Sequence, residues 1–322
     1  MAEIEPLKVL FLTIPRLFNP WCADVIAAVG DRHDLRVFDT NRSITSQFHG
    51  IDVVIDHGGH VGTHQMMDAA AGSRLWQLMT IGYAHVDIAY LQSRHLPVAA
   101  ISGTTSAASL AESAMMLILM LARRTGECDR CFRSGGWLEP PGDELEGRTL
   151  GIVGLGPSGR RLARFAGAMN MRVIGANRSS VDGPELGLSA TYPLEQLDSL
   201  LQESDFISLH LALTKQTHQI IDARRIGLIK STARLINTAR GALVDQKAMF
   251  EALLAGRIGG AGLDVLEPEP PDPTHPVFDL PQVVIMPHVA AFTDGSSCKR
   301  GRFISDNLDR VAQGLPPRCQ IA

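Results

Sequence analysis

The sequence predicts an α/β protein with two doubly wound parallel-sheet domains, in which the larger domain is inserted into the smaller one. Apolar strand-like runs alternate with helical patterns from the first residues onward. An irregular segment rich in Gly and Pro separates this series from a second, longer one. Alternating strands and helices are typical of parallel sheets that helices cover on both faces.

Composition sets the broad class of the protein. The chain has 322 residues, 45% hydrophobic and 20% charged, enough to form two globular cores. Its formal charge of −4 argues against a nucleic-acid-binding face, which needs clustered basic residues. The most apolar window, 114–122, is about half as long as a membrane span, so no membrane partner is predicted. Five scattered cysteines predict reduced thiols in the cytoplasm.

The N-terminal series begins with LKVLFLTI at 7–14, a continuous apolar run typical of a strand covered on both faces. Helical and strand-like patterns then alternate. We predict helices over 22–29 and 63–71, strands over 35–38, 52–55 and 76–80, and a helix–strand pair ending at 97–100.

The second series starts after a long helical pattern at 105–124 and a stretch at 125–147 that lacks periodicity. Strands and helices resume at 149 and continue to about 287, and a last helix is predicted over 295–312. An interrupted domain explains this layout economically. We predict one domain from residues 1–102 plus 293–322, and a second from residues 103–292.

Cys128 and Cys131 form a single CxxC pair. A zinc site would need a second pair or histidines at ligand spacing, and none lies nearby. We therefore interpret the pair as two reduced thiols and predict no metal.

A glycine-rich turn, GLGPSG at 154–159, lies between a predicted strand at 149–153 and a helix at 160–169. Gly154 permits the tight turn, Gly156 lets the backbone approach a pyrophosphate, and Gly159 allows close packing of helix on strand. The helix N-terminus offers N–H groups to phosphates. With a further strand at 172–175, the segment predicts a Rossmann domain that binds NAD(P).

The end of that further strand predicts which form of the cofactor binds. Sites that prefer NAD place an acidic residue about twenty positions after the glycine turn. Here the chain reads Asn177-Arg178-Ser179-Ser180, with no carboxylate. Arg178 could pair with a 2′-phosphate, and the serines could donate to it. We predict a preference for NADP(H); NAD(H) is the alternative, if an NAD site tolerates Asn177.

Three apolar strands of the second series lead to polar residues at their carboxyl ends. Arg240 follows the first, Asp264 and Glu269 follow the second, and His288 follows the third. Ligands bind at this edge of open parallel sheets, so the side chains could converge there. Each residue singly has an ordinary structural explanation. Together they offer the anion clamp, histidine and carboxylate that a carbonyl–alcohol hydride transfer requires.

Several segments together resemble the D-isomer-specific 2-hydroxyacid dehydrogenase family, and within it the NADP-using glyoxylate and hydroxypyruvate reductases. The resemblance covers about residues 76–293; before that, only the strand–helix pattern matches. Besides the glycine turn, the matching segments are IGYAHVD at 81–87, LAE at 110–112, HLALTKQTHQII at 210–221, NTARGALVD at 237–245, GLDVLEPEP at 262–270 and MPHVAAFT at 286–293.

The resemblance implies an active site in the cleft between a substrate domain and the Rossmann domain. Arg240 would bind the substrate carboxylate and polarise the carbonyl. His288 would be the acid–base residue, with Glu269 as its paired carboxylate. Backbone groups of Ile81 and Gly82 would receive the substrate carboxylate from the smaller domain. Hydride would add to C2 of a 2-oxo acid while His288 donates a proton to the oxygen.

The same resemblance implies that Asp264 holds the nicotinamide carboxamide and extends the cofactor contacts beyond the glycine turn. The predicted cofactor-binding set is Gly154, Gly156, Pro157, Ser158, Gly159, Asn177, Arg178, Ser179, Ser180, His210, Thr238, Ala239, Arg240, Asp264, His288 and Ala290.

Two departures from the family pattern lie outside the ribose loop. Ala212 stands where the family often has proline, which alters the adenine side of the site but not the chemistry. The segment at 57–62, HGGHVG, is unusually rich in Gly and His. His57 or His60 could face the cleft, but we favour a surface loop.

Three further readings follow from the resemblance. Formate dehydrogenases pair their histidine with glutamine, so Glu269 argues against that reaction. A nucleotide-sensing regulatory or corepressor-like protein of the same fold could keep the same three residues. A 3-phosphoglycerate dehydrogenase-like enzyme is a second alternative, although the substrate loops lack an obvious basic cluster. The family also implies a homodimer through the helix at 105–124 and the loop after it.

Overall fold

The computed structural model describes residues 5–15, 18–58, 62–83 and 86–321, and the chain divides into two compact units. One comprises Met1–Thr105 and Phe292–Ala322, and we call it the terminal unit. The other comprises Ser106–Ala291, and we call it the central unit. The chain thus enters the central unit once and leaves it once.

The regular elements follow one another in the alternation that the sequence predicts. The strands are β1 Lys8–Leu12, β2 Asp34–Val37, β3 Val53–Asp56, β4 Leu75–Leu78, β5 Val98–Ala99, β6 Thr149–Val153, β7 Arg172–Asn177, β8 Ala190–Pro193, β9 Phe206–Leu209, β10 Arg234–Asn237, β11 Gly260–Leu263 and β12 Val283–Ile285. The helices are α1 Ala23–Gly30, α2 Ile44–Phe48, α3 His64–Ala69, α4 Ile88–Ser93, α5 Ala107–Ala122, α6 Thr125–Arg133, α7 Pro157–Ala168, α8 Leu197–Glu203, α9 Ala223–Ile226, α10 Gln246–Leu254 and α11 Asp294–Ala312.

The terminal unit is built on a five-stranded parallel sheet in the order β2-β1-β3-β4-β5. The winding reverses between β1 and β3, which makes that position the topological switch point of the sheet. Strands β3 and β4 are buried along their whole length, including Asp56 and Gln77, the polar residue that each contains. Apolar side chains fill the space on both faces of the sheet.

Helix α11 returns the chain to the terminal unit, where it packs along α1. The side chain of Asn307, a residue of α11, is buried, and its Nδ2 donates to Gln77 Oε1 at 2.8 Å. The same amide exchanges hydrogen bonds with the backbone N–H and C=O of Arg318. Ile321 N–H then donates to the Val98 carbonyl, so the C-terminal segment is held against the edge of β5.

The central unit is built on a seven-stranded parallel sheet in the order β12-β11-β10-β9-β6-β7-β8. Its first strand, β6, pairs with both β7 and β9, so the switch point lies at the carboxyl end of β6. This is the strand arrangement of a Rossmann domain. The predicted fold class, two α/β domains with parallel sheets, is confirmed.

Helix α5 is a core helix of the central unit. By length and composition, Gly103–Ala122 could cross a membrane, but 61% of its most apolar window is buried within the protein. Nine of the sixteen residues of α5 are buried, and its side chains pack against β6 and α7. Its apolar sequence is thus explained by internal packing.

The structure corrects the sequence prediction in three places. Helix α6 occupies part of the stretch predicted to lack periodicity; none of its residues is buried, so it shows no apolar stripe. Arg133 and Asp129 form an i,i+4 ion pair along this helix. The short helix α2 was not predicted. Helix α7 begins at Pro157, three residues earlier than predicted, because proline is well suited to a first helical position.

Candidate active site

The glycine turn crosses the switch point of the central sheet, and two of its glycines are required sterically. Gly154 has a φ of +103°, and a Cβ there would lie 2.6 Å from the carbonyl oxygen of His210. A Cβ on Gly159 would collide with the carbonyl oxygen of Gly154. Gly156, in contrast, has nothing within 4 Å of its Cβ position. The turn is therefore closely packed at Gly154 and Gly159 and open at Gly156, the position where a bound pyrophosphate needs space.

The start of α7 is shaped to receive an anion. Gly156 is its N-cap residue and no side chain caps the helix, so its first N–H groups are available. The Ser158 hydroxyl lies 3.0 Å from His210 Nδ1, and His210 Nε2 lies 3.0 Å from the Ser208 hydroxyl. Burial lowers the pKa of His210 to about 4, so the ring is neutral at physiological pH. His210 therefore braces the turn without adding charge.

Asn177, at the end of β7, has a role that the sequence did not show. Its Oδ1 accepts from the Leu155 N–H at 3.2 Å, and its Nδ2 donates to the Ser179 carbonyl at 3.0 Å. The side chain therefore joins the glycine turn to the predicted ribose loop. Arg178, Ser179 and Ser180 are exposed directly after it.

Asn237 is a functional residue that the sequence analysis missed. It is 1% exposed; its Nδ2 donates to the Arg240 carbonyl at 2.8 Å and its Oδ1 accepts from the Ala239 N–H at 3.0 Å. The turn that carries Arg240 is thus folded around one buried amide. A buried Asn at the end of an apolar strand, directly before the turn, was the available signal.

Asp264 positions the segment that carries the histidine. Its carboxylate is 3% exposed and accepts from the N–H groups of Val289 at 2.7 Å and Ala290 at 3.0 Å. Its carbonyl accepts from the His288 N–H at 2.8 Å. Burial raises the pKa of Asp264, while the two N–H donors act in the opposite direction. The sequence predicted a contact with the cofactor, and the structure adds this positioning role.

Glu269 and His288 form a direct pair. Glu269 Oε2 lies 2.6 Å from His288 Nδ1, and Glu269 Oε1 accepts from the Leu266 N–H at 3.0 Å. Burial raises the pKa of Glu269, but the bonds to His288 and Leu266 outweigh it, so the net shift is downward from 4.5. The ionised carboxylate therefore accepts the Nδ1 proton. Nε2 is left as the nitrogen that can exchange a proton with a ligand.

Arg240 brings positive charge to the same edge of the sheet. Its guanidinium is partly buried, and Nη1 donates to the Ala239 carbonyl at 2.7 Å. Burial lowers the pKa of Arg240, whereas the charges of Glu269 and Asp264 raise it. These two carboxylates are thus close enough to act on the guanidinium. The arginine, the carboxylate pair and the histidine are brought together within the central unit.

Thr238 and Ala239 lie in the same turn. Among the described residues, the buried Thr238 hydroxyl has no hydrogen-bond partner, a feature that a bound ligand would satisfy. Together with the open position at Gly156, this shows that the residues present fit a dinucleotide. Among the residues with described coordinates, no group of three or more His, Cys, Asp or Glu side chains could hold a metal ion.

In the terminal unit, Ile81 and Gly82 follow β4 at the carboxyl edge of the sheet, and both are partly exposed. Ile81 packs against the core. His60 lies outside the described residues. For His57 the prediction of a surface loop was wrong, because the residue is only 4% exposed and its Nδ1 lies 3.2 Å from the Cys22 thiol.

Comparison with known proteins agrees with this geometry. The model of the D-isomer specific 2-hydroxyacid dehydrogenase, NAD binding domain, matches residues 115–290. A glyoxylate reductase of Korarchaeum cryptofilum is 36% identical over 261 residues, which cover 79% of this chain and 77% of that protein.

The chain belongs to the D-isomer-specific 2-hydroxyacid dehydrogenase family.

Solved structures extend the likeness to the whole fold. The D-lactate dehydrogenase of Lactobacillus jensenii with NAD+ has a TM-score of 0.82 at 25% identity, covering 98% of this chain and 100% of that one. An acyclic imino acid reductase in complex with NADPH and D-Arg has the same TM-score, identity and coverage. The protein is therefore an oxidoreductase with the family's nicotinamide-cofactor domain, and the alternative of a regulatory protein is set aside.

Gly159→Ala should disrupt the cofactor site because its methyl group would meet the Gly154 carbonyl. We expect the dissociation constant for NADPH to rise at least about tenfold, since the close approach of helix and turn is lost. Titration of cofactor fluorescence measures it. The matched control is Gly167→Ala in the same helix, where a Cβ meets nothing within 4 Å. Equal affinities for the two variants would contradict the assignment.

Proposed function

We propose that the protein reduces a 2-oxo acid to the D-2-hydroxy acid with a nicotinamide cofactor, as a glyoxylate or hydroxypyruvate reductase does. The observation that carries the proposal is the 2.6 Å contact between Glu269 and His288, with Nε2 as the ring nitrogen left for the substrate. Several relatives named glyoxylate reductase, among them that of Aeropyrum pernix at 37% identity, support the choice of substrate class.

A dihydronicotinamide cofactor, when bound, would supply the hydride. The chain's own residues bind the substrate carboxylate, stabilise charge on the carbonyl oxygen and transfer the proton. Arg240 binds the substrate carboxylate and places positive charge beside the carbonyl oxygen. His288 donates its Nε2 proton to that oxygen as C2 is reduced, and Glu269 holds the ring through Nδ1. In the reverse direction His288 accepts the proton. The backbone N–H groups at Ile81 and Gly82 would receive the substrate carboxylate.

His288→Ala should reduce kcat for glyoxylate and hydroxypyruvate by about 10²–10⁴-fold, because the proton donor is lost. Glu269→Gln should lower kcat less, by about 10–10²-fold, since the ring is still held but its protonated form loses the negative partner. Glu269→Gln should bind NADPH with the wild-type affinity, and His288→Ala should still bind NADPH, although His288 belongs to the proposed cofactor contacts. His218→Ala, at an exposed histidine of the same unit, is the control.

Steady-state rates over a range of pH check the same assignment. Since the pKa of Glu269 is held below 4.5, protonation of this carboxylate should reduce activity only below that pH. If the His288→Ala variant had the wild-type kcat, His288 would not be the proton donor.

We further propose that NADP(H) is preferred over NAD(H). No carboxylate lies at residues 177–180, where β7 ends, and Asn177 is hydrogen-bonded to Leu155 and Ser179. The exposed Arg178, Ser179 and Ser180 are left to contact a 2′-phosphate. We also propose that the other cofactor-binding residues predicted from the sequence, including Pro157, contact the cofactor.

Arg178→Ala should lower kcat/KM for NADPH by about tenfold and leave that for NADH nearly unchanged, because only the 2′-phosphate contact is removed. Arg164→Ala, at an exposed arginine on α7, is the matched control and should change neither value. Initial rates with both cofactors measure the ratio. A wild-type enzyme that prefers NADH would contradict this cofactor assignment.

We also propose a homodimer formed through the central unit. Phe132, Trp137 and Leu138 are 68%, 75% and 92% exposed. Beside α5, Met115, Met116 and Leu119 help to line an open apolar groove of about 420 Å³. Apolar surface of this kind is costly unless a partner covers it.

Sedimentation velocity should give twice the chain mass of 34.8 kDa. Phe132→Glu together with Leu138→Glu should yield the monomer, because the charges would be buried at the interface. The control is Leu315→Glu, at an exposed leucine of the terminal unit. A wild-type monomer at micromolar concentration would overturn the proposal.

A further inference from the structure

Gln246, the first residue of α10, makes two hydrogen bonds to the loop that carries Glu269. Its Oε1 accepts from the Glu267 N–H at 2.8 Å, and its Nε2 donates to the Glu267 carbonyl at 2.6 Å. A primary amide offers a donor and an acceptor side by side, so it can pair with both backbone groups of one residue. One side chain therefore holds the backbone two residues before Glu269.

The start of α10, from which Gln246 extends, is itself fixed. Asp245 is the N-cap residue of this helix, and its carboxylate accepts from the Ala248 N–H at 3.0 Å. The N–H of Asp245 donates to the carbonyl of the buried Ile221 at 2.9 Å. Because the cap and this backbone bond hold the first turn of α10, the amide of Gln246 extends from a defined position.

The loop after β11 depends on specific hydrogen bonds because burial holds only its beginning. Leu266 is buried, whereas residues 267–270 are all exposed. A Cβ on Gly241 would collide with the Leu266 carbonyl, so the turn after β10 packs directly against this end of the loop. Beyond Leu266, the two bonds from Gln246 continue the attachment towards Glu269.

The position of Glu269 has to be accurate because its two oxygens bind different partners. Oε2 lies 2.6 Å from His288 Nδ1, and Oε1 accepts from the Leu266 N–H at 3.0 Å. A loop that moved away would lengthen the first contact and free the imidazole ring to rotate. Nε2 would then lose its direction towards the substrate oxygen. A misplacement of about 1 Å in a reacting group can cost about 10²-fold in rate.

We propose that Gln246 is a positioning residue that acts on proton transfer by holding the loop of Glu269. The inference rests on the proposed reduction of a 2-oxo acid. Since its two hydrogen bonds go to the backbone of Glu267, its substitution should lower kcat. The KM for the 2-oxo acid and the dissociation constant for NADPH should stay nearly unchanged, because Arg240 and the glycine turn keep their own contacts.

Two substitutions remove these hydrogen bonds to different extents. Gln246→Met removes both but keeps the approximate length of the side chain and its helix propensity. Gln246→Asn keeps a neutral amide that is one methylene shorter, so it cannot pair with both backbone groups at the same distances. The matched control is Gln202→Met, the same change at an exposed glutamine of α8 in the central unit.

Steady-state rates at saturating glyoxylate or hydroxypyruvate measure the effect. We expect Gln246→Met to lower kcat by about tenfold, roughly the value of one hydrogen bond, and Gln246→Asn to lower it by about threefold. Gln202→Met should have the wild-type kcat. Thermal unfolding establishes that each variant is folded.

A double-mutant cycle with Glu269→Ala separates positioning from a merely structural role. Without a carboxylate at position 269 there is nothing for Gln246 to position, so Gln246→Met should then lower kcat by less than about twofold. If Gln246 only stabilised the fold, the two substitutions would act independently. The factor lost on Gln246→Met would then be the same with and without the carboxylate.

The proton between His288 Nδ1 and Glu269 gives a second readout, which does not require turnover. A proton in a short hydrogen bond to a carboxylate has a downfield NMR signal. Its absence in His288→Ala assigns it. We expect this signal in the wild type and in Gln202→Met, and its loss or exchange broadening in Gln246→Met.

Equal losses of kcat in the two backgrounds would overturn the inference, and so would the wild-type kcat in a folded Gln246→Met protein. A higher KM with an unchanged kcat would contradict it as well. Should Gln246→Met not fold, the same cycle with Gln246→Asn decides. Absence of turnover with any 2-oxo acid would instead overturn the proposed function, and the NMR signal would still decide whether Gln246 positions Glu269.

Discussion

The two hydrogen bonds that the buried Asp264 carboxylate accepts from Val289 and Ala290 hold together the sheet edge of the central unit at which Arg240, Glu269 and His288 lie. They attach the segment after β12 to the end of β11, and the Asp264 carbonyl adds a bond from the His288 N–H. His288 has a φ of +56°, a left-handed conformation that few side chains adopt, and these bonds secure it there. Once the backbone is held, Glu269 needs only one contact to orient the ring. The chemistry proposed for Nε2 therefore depends on a carboxylate that itself need not touch the substrate.

Both units are built on a parallel sheet with one topological switch point. In each sheet the winding reverses once, at β6/β9 in the central unit and at β1/β3 in the terminal unit. The connections that leave the two strands at such a point run to opposite faces of the sheet, and this leaves a crevice at the carboxyl ends of the strands. The glycine turn uses this crevice in the central unit, where Gly156 is left open. In the terminal unit, the buried His57 lies at the corresponding point and its ring accepts from the Ile14 N–H after β1.

Buried polar side chains that contact backbone determine much of the site, and this is why sequence reasoning reached it only in part. The glycines, Arg240, Glu269 and His288 were predictable because each needs one residue type for a steric or chemical reason. Asn237 and Asn177 were not recognised as positioning groups. An amide side chain at a strand end is equally suited to solvent, to a ligand or to the backbone of a neighbouring turn. His57 was predicted on the surface, since Gly and His in a loop give no sign of a stack with Trp21.

The sequence by itself determined the alternation of strands and helices, the parallel sheets, the glycine turn and the residue types that carry the chemistry. Those features follow from local periodicity and from steric limits on single residues, which any short segment displays. Only the tertiary structure decided that Asp264 holds the His288 segment, that Asn177 joins the glycine turn to the ribose loop, and that the His57 ring contacts Ile14 after β1. Each of these depends on a partner 22 to 43 positions away in the chain, and sequence spacing does not specify such a contact.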